Sequence, residues 1–154
     1  MNSISYSIIF DLDGTLVHSV PDMHHAINKT LKEYNLKIIS EETLQTFVGE
    51  GMLSLAKKVV DFSGGDKDLY DIVYNSYRKN YSEQPYKYSS LMPGVMDVLN
   101  FFYERNIAMG ICTNKRQFVT EKLIEQMNLQ KFFSVIVGAR DNIPLKPLPD
   151  MVFL

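Results

Sequence analysis

A chain of 154 residues with 45% apolar side chains suits one domain, or one modest core carrying a small insertion. Sixteen basic against eighteen acidic residues leave a net charge of -2, without the basic excess of a nucleic-acid binder, and the single cysteine, Cys112, excludes an internal disulfide framework and a multi-cysteine zinc site. No apolar run is long enough to span a membrane, and the N-terminus lacks a charged segment followed by an apolar one, so the chain reads as cytoplasmic, not exported and without a membrane partner.

In chain order, Tyr6 to Phe10 form a short apolar run that ends at a Gly-containing turn, the pattern of a buried parallel strand. A helix follows, with Met23, Ala26, Ile27, Leu31 and Tyr34 on one face and Pro21 in its first turn. Ser40 is placed to cap a second helix carrying Leu44, Phe47 and Val48; "GEG" at Gly49 to Gly51 breaks it before Met52, Leu55, Ala56, Val59 and Val60 resume the helical period. A fourth helix carries Tyr70, Val73, Tyr74, Tyr77 and Tyr81. From Leu91 the chain alternates. Val95, Val98, Leu99 and Phe102 share a helical face, "IAMGIC" is a strand, Val119, Leu123 and Met127 stripe another helix, and "SVIVG" is a third strand. Such alternation implies an α/β core with a parallel sheet and right-handed crossovers, interrupted after its first strand by a helical insertion.

In open parallel sheets ligands bind beyond the carboxyl ends of the strands. Asp11 and Asp13 lie there, two apart, so that both carboxylates face one small volume; Gly14 permits the turn that follows. At the end of the second strand "CTNK" presents Thr113 and Asn114 before a helix N-terminus, a natural place for phosphate oxygens, and "IPLKPLPD" after the third strand brings Lys146 to the same rim. Two carboxylates, a hydroxyl and a lysine at one strand edge point to phosphoryl transfer. One Asp attacks phosphorus, the other protonates the leaving oxygen, Mg²⁺ offsets the repulsion and Lys balances the phosphoryl charge. Blander readings stand beside these. The aspartates serve as turn formers, Lys146 as a surface lysine, Thr113 as a helix cap, the tyrosine stripe as packing and Cys112 as a small buried apolar residue. His18, His24 and His25 tempt one toward a metal site but lack a fixed pattern of companions.

"FDLDGTLV", "ICTNK" and "KPLPD", in that order at successive strand ends, resemble the first three motifs of the haloacid dehalogenase superfamily. "FVGEGMLSL", "LMPGVMDVL" and "FFSVIVGARD" resemble its phosphoglycolate phosphatase branch. The resemblance implies a Rossmann-like, three-layer parallel core from residues 1–17 and 88–154 with a helical cap from 18–87. It implies Asp11 as the nucleophile that becomes an aspartyl-phosphate, and Asp13 as general acid and base. Mg²⁺ would be held by the Asp11 side chain and the Asp13 carbonyl, and phosphate by Gly14, Thr113, Asn114 and Lys146. Gly49 and Gly51 would form a cap loop closing over a small phosphate ester. His18 stands where relatives often carry Asp. The family's fourth motif, an acidic pair after a further strand, lies beyond Leu154. The expectation is therefore a core incomplete at its C-terminus, weak metal binding, little phosphatase activity, and self-association through the exposed edge of the first strand or the apolar "MVFL" end. A noncatalytic relic that binds a phosphate compound or a protein partner, and a sugar-phosphate mutase of the same superfamily, are the alternatives. A receiver-like phospho-acceptor lacks its usual acidic pair here.

Overall fold

The computed structural model describes residues 6–83 and 86–154; the reading of the extreme N-terminus falls partly on residues 1–5, outside them. The chain divides into two compact units: a sheet unit, Met1–Val17 with Leu91–Leu154, and a helical unit, His18–Ser90. Two short strands, β2 (Val17–His18) and β3 (Ser90–Leu91), fall where the chain passes between them.

The sheet unit is built on three parallel strands, β1 (Ser7–Phe10), β4 (Ala108–Arg116) and β5 (Val135–Ala139), in the order β1-β4-β5. Helix α5 (Val95–Tyr103) precedes β4, and α6 (Gln117–Gln126) joins β4 to β5. Both crossovers step the same way across the sheet, which places both helices on one face when the connections are right-handed. Cys112, Val137 and Met151 form a buried cluster with Ile143 and Leu145. Strand side chains alternate, so this cluster lies on the opposite face from Met109 and Ile111. Met151 belongs to a tight helical turn, Pro149–Phe153, whose neighbours Val152, Phe153 and Leu154 are exposed. Among the described residues β1 is an edge strand, as the sequence leads one to expect.

The register carries the main departure. Phe10 pairs with Ile111, and Cys112 with Val137, but the next pair is Arg116 with Ala139. Thr113, Asn114 and Lys115 therefore stand opposite Gly138 alone. Strand β4 does not end at Cys112; it bulges and continues through the residues expected just before the helix, and such bulges re-aim side chains next to functional sites. Gly138 makes room for this bulge. A Cβ there would lie 2.7 Å from Gln117 Cα and 2.8 Å from the Lys115 carbonyl oxygen. The Gln117 side chain completes the join, accepting from Gly138 N–H at 2.5 Å and donating to the Ile136 carbonyl at 3.0 Å. Helix α5 also differs from expectation: Val95 and Leu99 are buried, while Val98 is 43% exposed because it falls on the flank of a nine-residue helix.

In the helical unit, α1 (Val20–Glu33) packs on α2 (Glu41–Gln45) and α4 (Tyr70–Glu83), and α3 (Met52–Phe62) packs on α4. Met23, Ala26, Ile27 and Leu31 of α1, Leu55, Ala56 and Val59 of α3, and Val73, Tyr77 and Tyr81 of α4 are all buried, so Tyr77 and Tyr81 of the tyrosine stripe are packing. Ser40 caps α2 by accepting from Thr43 N–H at 3.2 Å. That helix is shorter than expected. Phe47 and Val48 lie in a turn of i to i-3 bonds that runs into Gly49 at φ +128°. Polar groups hold α1 to its neighbours. Asn28 exchanges two 2.9 Å hydrogen bonds with the Ile39 main chain, and Glu33 accepts from Ser76 at 2.6 Å and from Asn80 at 3.1 Å. Asp22, 2% exposed, accepts from Tyr88 N–H at 2.9 Å, Ser89 N–H at 2.6 Å and the Ser89 hydroxyl at 2.5 Å, which ties the last residues of this unit to its first helix.

Candidate active site

Strand β1 ends at Phe10, and the chain turns on a single carbonyl. Leu12, fully buried, anchors the loop inward, and its oxygen accepts from Thr15, Leu16 and Val17 N–H at 3.0–3.2 Å. Gly14, at φ +79°, supplies the left-handed residue that this turn requires, and its N–H donates to the Val17 carbonyl at 2.8 Å. With Leu12 pointing into the core, Asp11 and Asp13 on either side of it point to the rim.

Each carboxylate meets a lysine. Lys146 Nζ lies 2.9 Å from Asp11 Oδ1 and donates to the Cys112 carbonyl at 2.8 Å. Lys115 Nζ lies 2.9 Å from Asp13 Oδ1. The environments differ: the side chains of Lys146 and Asp11 are 30% and 44% exposed, those of Lys115 and Asp13 only 3% and 15%. Asn114 holds the Lys146 loop by its main chain, accepting from Lys146 N–H at 2.8 Å and donating to its carbonyl at 3.0 Å. Thr113 is buried, with its hydroxyl oxygen accepting from Lys115 N–H at 3.2 Å. Burial raises the Cys112 pKa above its ordinary value, with the Asp11 charge adding to it and Lys146 opposing it, so the thiol stays neutral.

The structure thus brings Asp11, Asp13, Gly14, Thr113, Asn114 and Lys146 together within the sheet unit. Gly49 and Gly51 belong to the helical unit, where Gly51, at φ +89°, precedes α3. Lys115 is the residue that the sequence reading passed over. Its signal was present: in an extended segment it shares a side with Thr113, two residues back. Gly138 was likewise read only as the end of a strand.

Asp11 and the main-chain carbonyl of Asp13 offer oxygen ligands. Asp11 Oδ1 meets Lys146, and Oδ2 has no hydrogen-bond partner among the described residues. A carboxylate and a neighbouring main-chain carbonyl suit a hard divalent cation that keeps several of its waters and takes the rest of its ligands from a phosphate. No group of three or more His, Cys, Asp or Glu suited to a metal occurs among the described residues.

With a parallel α/β sheet and paired aspartates after its first strand, the chain matches the haloacid dehalogenase-like hydrolases over residues 8–153 and belongs to that family. Its relatives include the phosphoglycolate phosphatase of Rhodospirillum rubrum, 34% identical over 149 residues, covering 93% of this chain and 62% of that protein. That of Pseudomonas savastanoi pv. phaseolicola is 31% identical over 150 residues, covering 95% of this chain and 55% of the relative. The chain thus spans between half and two thirds of the length of these relatives. Among solved structures, a predicted phosphoglycolate phosphatase from Haemophilus somnus superposes with a TM-score of 0.89 at 27% identity, covering 99% of this chain and 71% of that one. No described helix is long and apolar enough to cross a membrane.

Proposed function

We propose that the rim of the sheet unit hydrolyses a small phosphate monoester, of which 2-phosphoglycolate is the first to try, through a covalent phosphate on Asp11. The observation that carries this reading is the pair of contacts at 2.9 Å, Lys146 to Asp11 and Lys115 to Asp13, which set an open carboxylate beside a shielded one. An open carboxylate is accessible to an incoming phosphorus. Asp11 forms the new oxygen–phosphorus bond as the bond to the leaving oxygen breaks, and Asp13, after taking a proton from solvent, delivers it to that oxygen. Lys115 then faces the Asp13 carboxylate that remains and stabilises it by a charge-assisted hydrogen bond. In the second step water attacks the phosphoryl group, Asp13 takes its proton, and inorganic phosphate departs from a regenerated Asp11. Lys146 carries the charge balance for the phosphoryl oxygens, Asn114 keeps it in place, and Thr113 and Gly14 complete the phosphate cradle. The Asp11 side chain and the Asp13 carbonyl would hold Mg²⁺, which would supply further neutralisation of the phosphoryl charge.

The test is steady-state hydrolysis of 2-phosphoglycolate and p-nitrophenyl phosphate at millimolar Mg²⁺, with acid-quench trapping of phosphoenzyme. Asp11→Asn is expected to remove both turnover and phosphoenzyme, with at least about a 10³-fold loss of rate. Asp13→Asn is expected to leave some phosphoenzyme and slow its release. An Asp11→Asn protein that keeps the wild-type rate overturns the mechanism. The single cysteine, buried and free, suits a reducing compartment, and cytoplasmic residence is the corresponding assignment. The outer edge of β1, with Tyr6 and Ile9 exposed, is the surface offered to a second copy of the chain; concentration-dependent mass by light scattering reports on it, and a monomer at high concentration removes the idea.

A further inference from the structure

The helical unit contains a concavity of about 700 Å³ along the outer face of α1, and its lining includes none of the residues of the phosphate rim. Cavities of this size are in the range that small ligands occupy. Its lining is graded along the helix. At the N-terminal end stand Pro21, His25 and Tyr88, the last two with ring centroids 5.3 Å apart. One and two turns further on stand Lys29 and Lys32. At 1.5 Å per residue the rise from His25 to Lys32 is about 10 Å, the reach from a purine ring to the phosphates of a nucleotide. Lys32 makes no ion pair among the described residues, and Lys29 meets Glu83 only at 3.4 Å, on the surface.

The lining is also prepared. His24 and Asn28 are fixed by the Ile39 main chain, with His24 Nε2 and Asn28 Nδ2 each 2.9 Å from its carbonyl oxygen. The acid of the lining, Glu41, lies 3.7 Å from His18 Nε2. The net charge of -2 for the whole chain argues against a long polyanion, so the cations fit a small anion with a ring attached. We infer that this groove on α1 binds a nucleoside diphosphate, its base against His25 and Tyr88 and its phosphates on Lys29 and Lys32.

ADP is titrated into the full chain by calorimetry in metal-free buffer, with adenosine and inorganic phosphate as separate probes. Saturable ADP binding is expected, with each fragment at least tenfold weaker. The double variant Lys29→Glu, Lys32→Glu is expected to weaken ADP at least tenfold while its circular dichroism is unchanged. Lys146→Ala, which disables the phosphate rim, is expected to leave ADP affinity within twofold. Absence of saturable binding at millimolar ADP overturns the inference. So does binding that Lys146→Ala abolishes and the double variant spares, which assigns the nucleotide to the rim instead. Inorganic phosphate binding as tightly as ADP rejects the nucleotide class. None of these outcomes depends on hydrolysis, so the phosphatase mechanism is tested separately.

Discussion

The rim of the sheet unit and the first helix of the helical unit treat their carboxylates in opposite ways. Asp11 and Asp13 are each met by an ammonium group, whereas Asp22 is met by two main-chain N–H groups and a hydroxyl. Main-chain donors are fixed in place, so a carboxylate satisfied by them becomes part of the framework. A lysine head on a flexible stem can share its partner with an incoming anion, so a carboxylate satisfied by it remains available for chemistry. Within the rim the same contrast recurs in degree, since the two lysine–aspartate pairs have equal lengths and unequal exposure.

That contrast is most directly broken at Lys115. Lys115→Met removes the ammonium group 2.9 Å from the shielded Asp13, and urea unfolding is expected to show a loss of about 3–5 kcal/mol. Lys146→Met, made at the half-exposed pair, is expected to cost under about 1 kcal/mol while lowering phosphate affinity and turnover more than it lowers stability. Equal destabilisation by the two variants erases the distinction between them. The framework role of Asp22 is checked by Asp22→Ala, expected to cost about 1–3 kcal/mol because three partly buried donors lose their acceptor. Hydrogen exchange at the Tyr88 and Ser89 amides should quicken, with phosphate binding at the rim unaltered. The smallest effect concerns Glu33. Its hydrogen bond from Ser76, against the opposing effect of burial and with help from Asn80, holds its pKa below the ordinary 4.5. A lowered folded-state value gives stability that is present above 4.5 and is lost as pH falls through the folded value. Ser76→Ala should therefore reduce thermal stability slightly at pH 7 and flatten its decline below pH 4.5; a parallel decline in both proteins assigns no role to this bond.

Most of the fold was legible because it is periodic. The apolar runs and stripes located β1, β5 and the longer helices, and three motifs in order at strand ends located Asp11, Asp13 and Lys146. What escaped was set by geometry that has no period. The bulge at Thr113 to Lys115 depends on Gly138, a residue on another strand whose absent side chain only matters once the two strands are paired. Lys115 was missed for the same reason: its partner Asp13 is 102 positions away, and nothing local marks it as buried. The return crossing at Ser90 to Leu91 follows from Asp22 gripping Tyr88 and Ser89, again a long-range bond. Helix α2 fell short because Gly49 takes a left-handed φ beyond the cap that the sequence identified correctly.

Asn114 grips the backbone of residue 146 and leaves its side chain alone. Placement of the loop and charge of the loop are thereby encoded at separate positions. A substitution at 146 removes the bonds of its ammonium group to Asp11 and the Cys112 carbonyl but keeps both main-chain bonds to Asn114, and one at 114 loses those two bonds with the charge retained. The rim is in this sense modular: its cation can be exchanged for another residue by a single change, with the socket that presents it already formed.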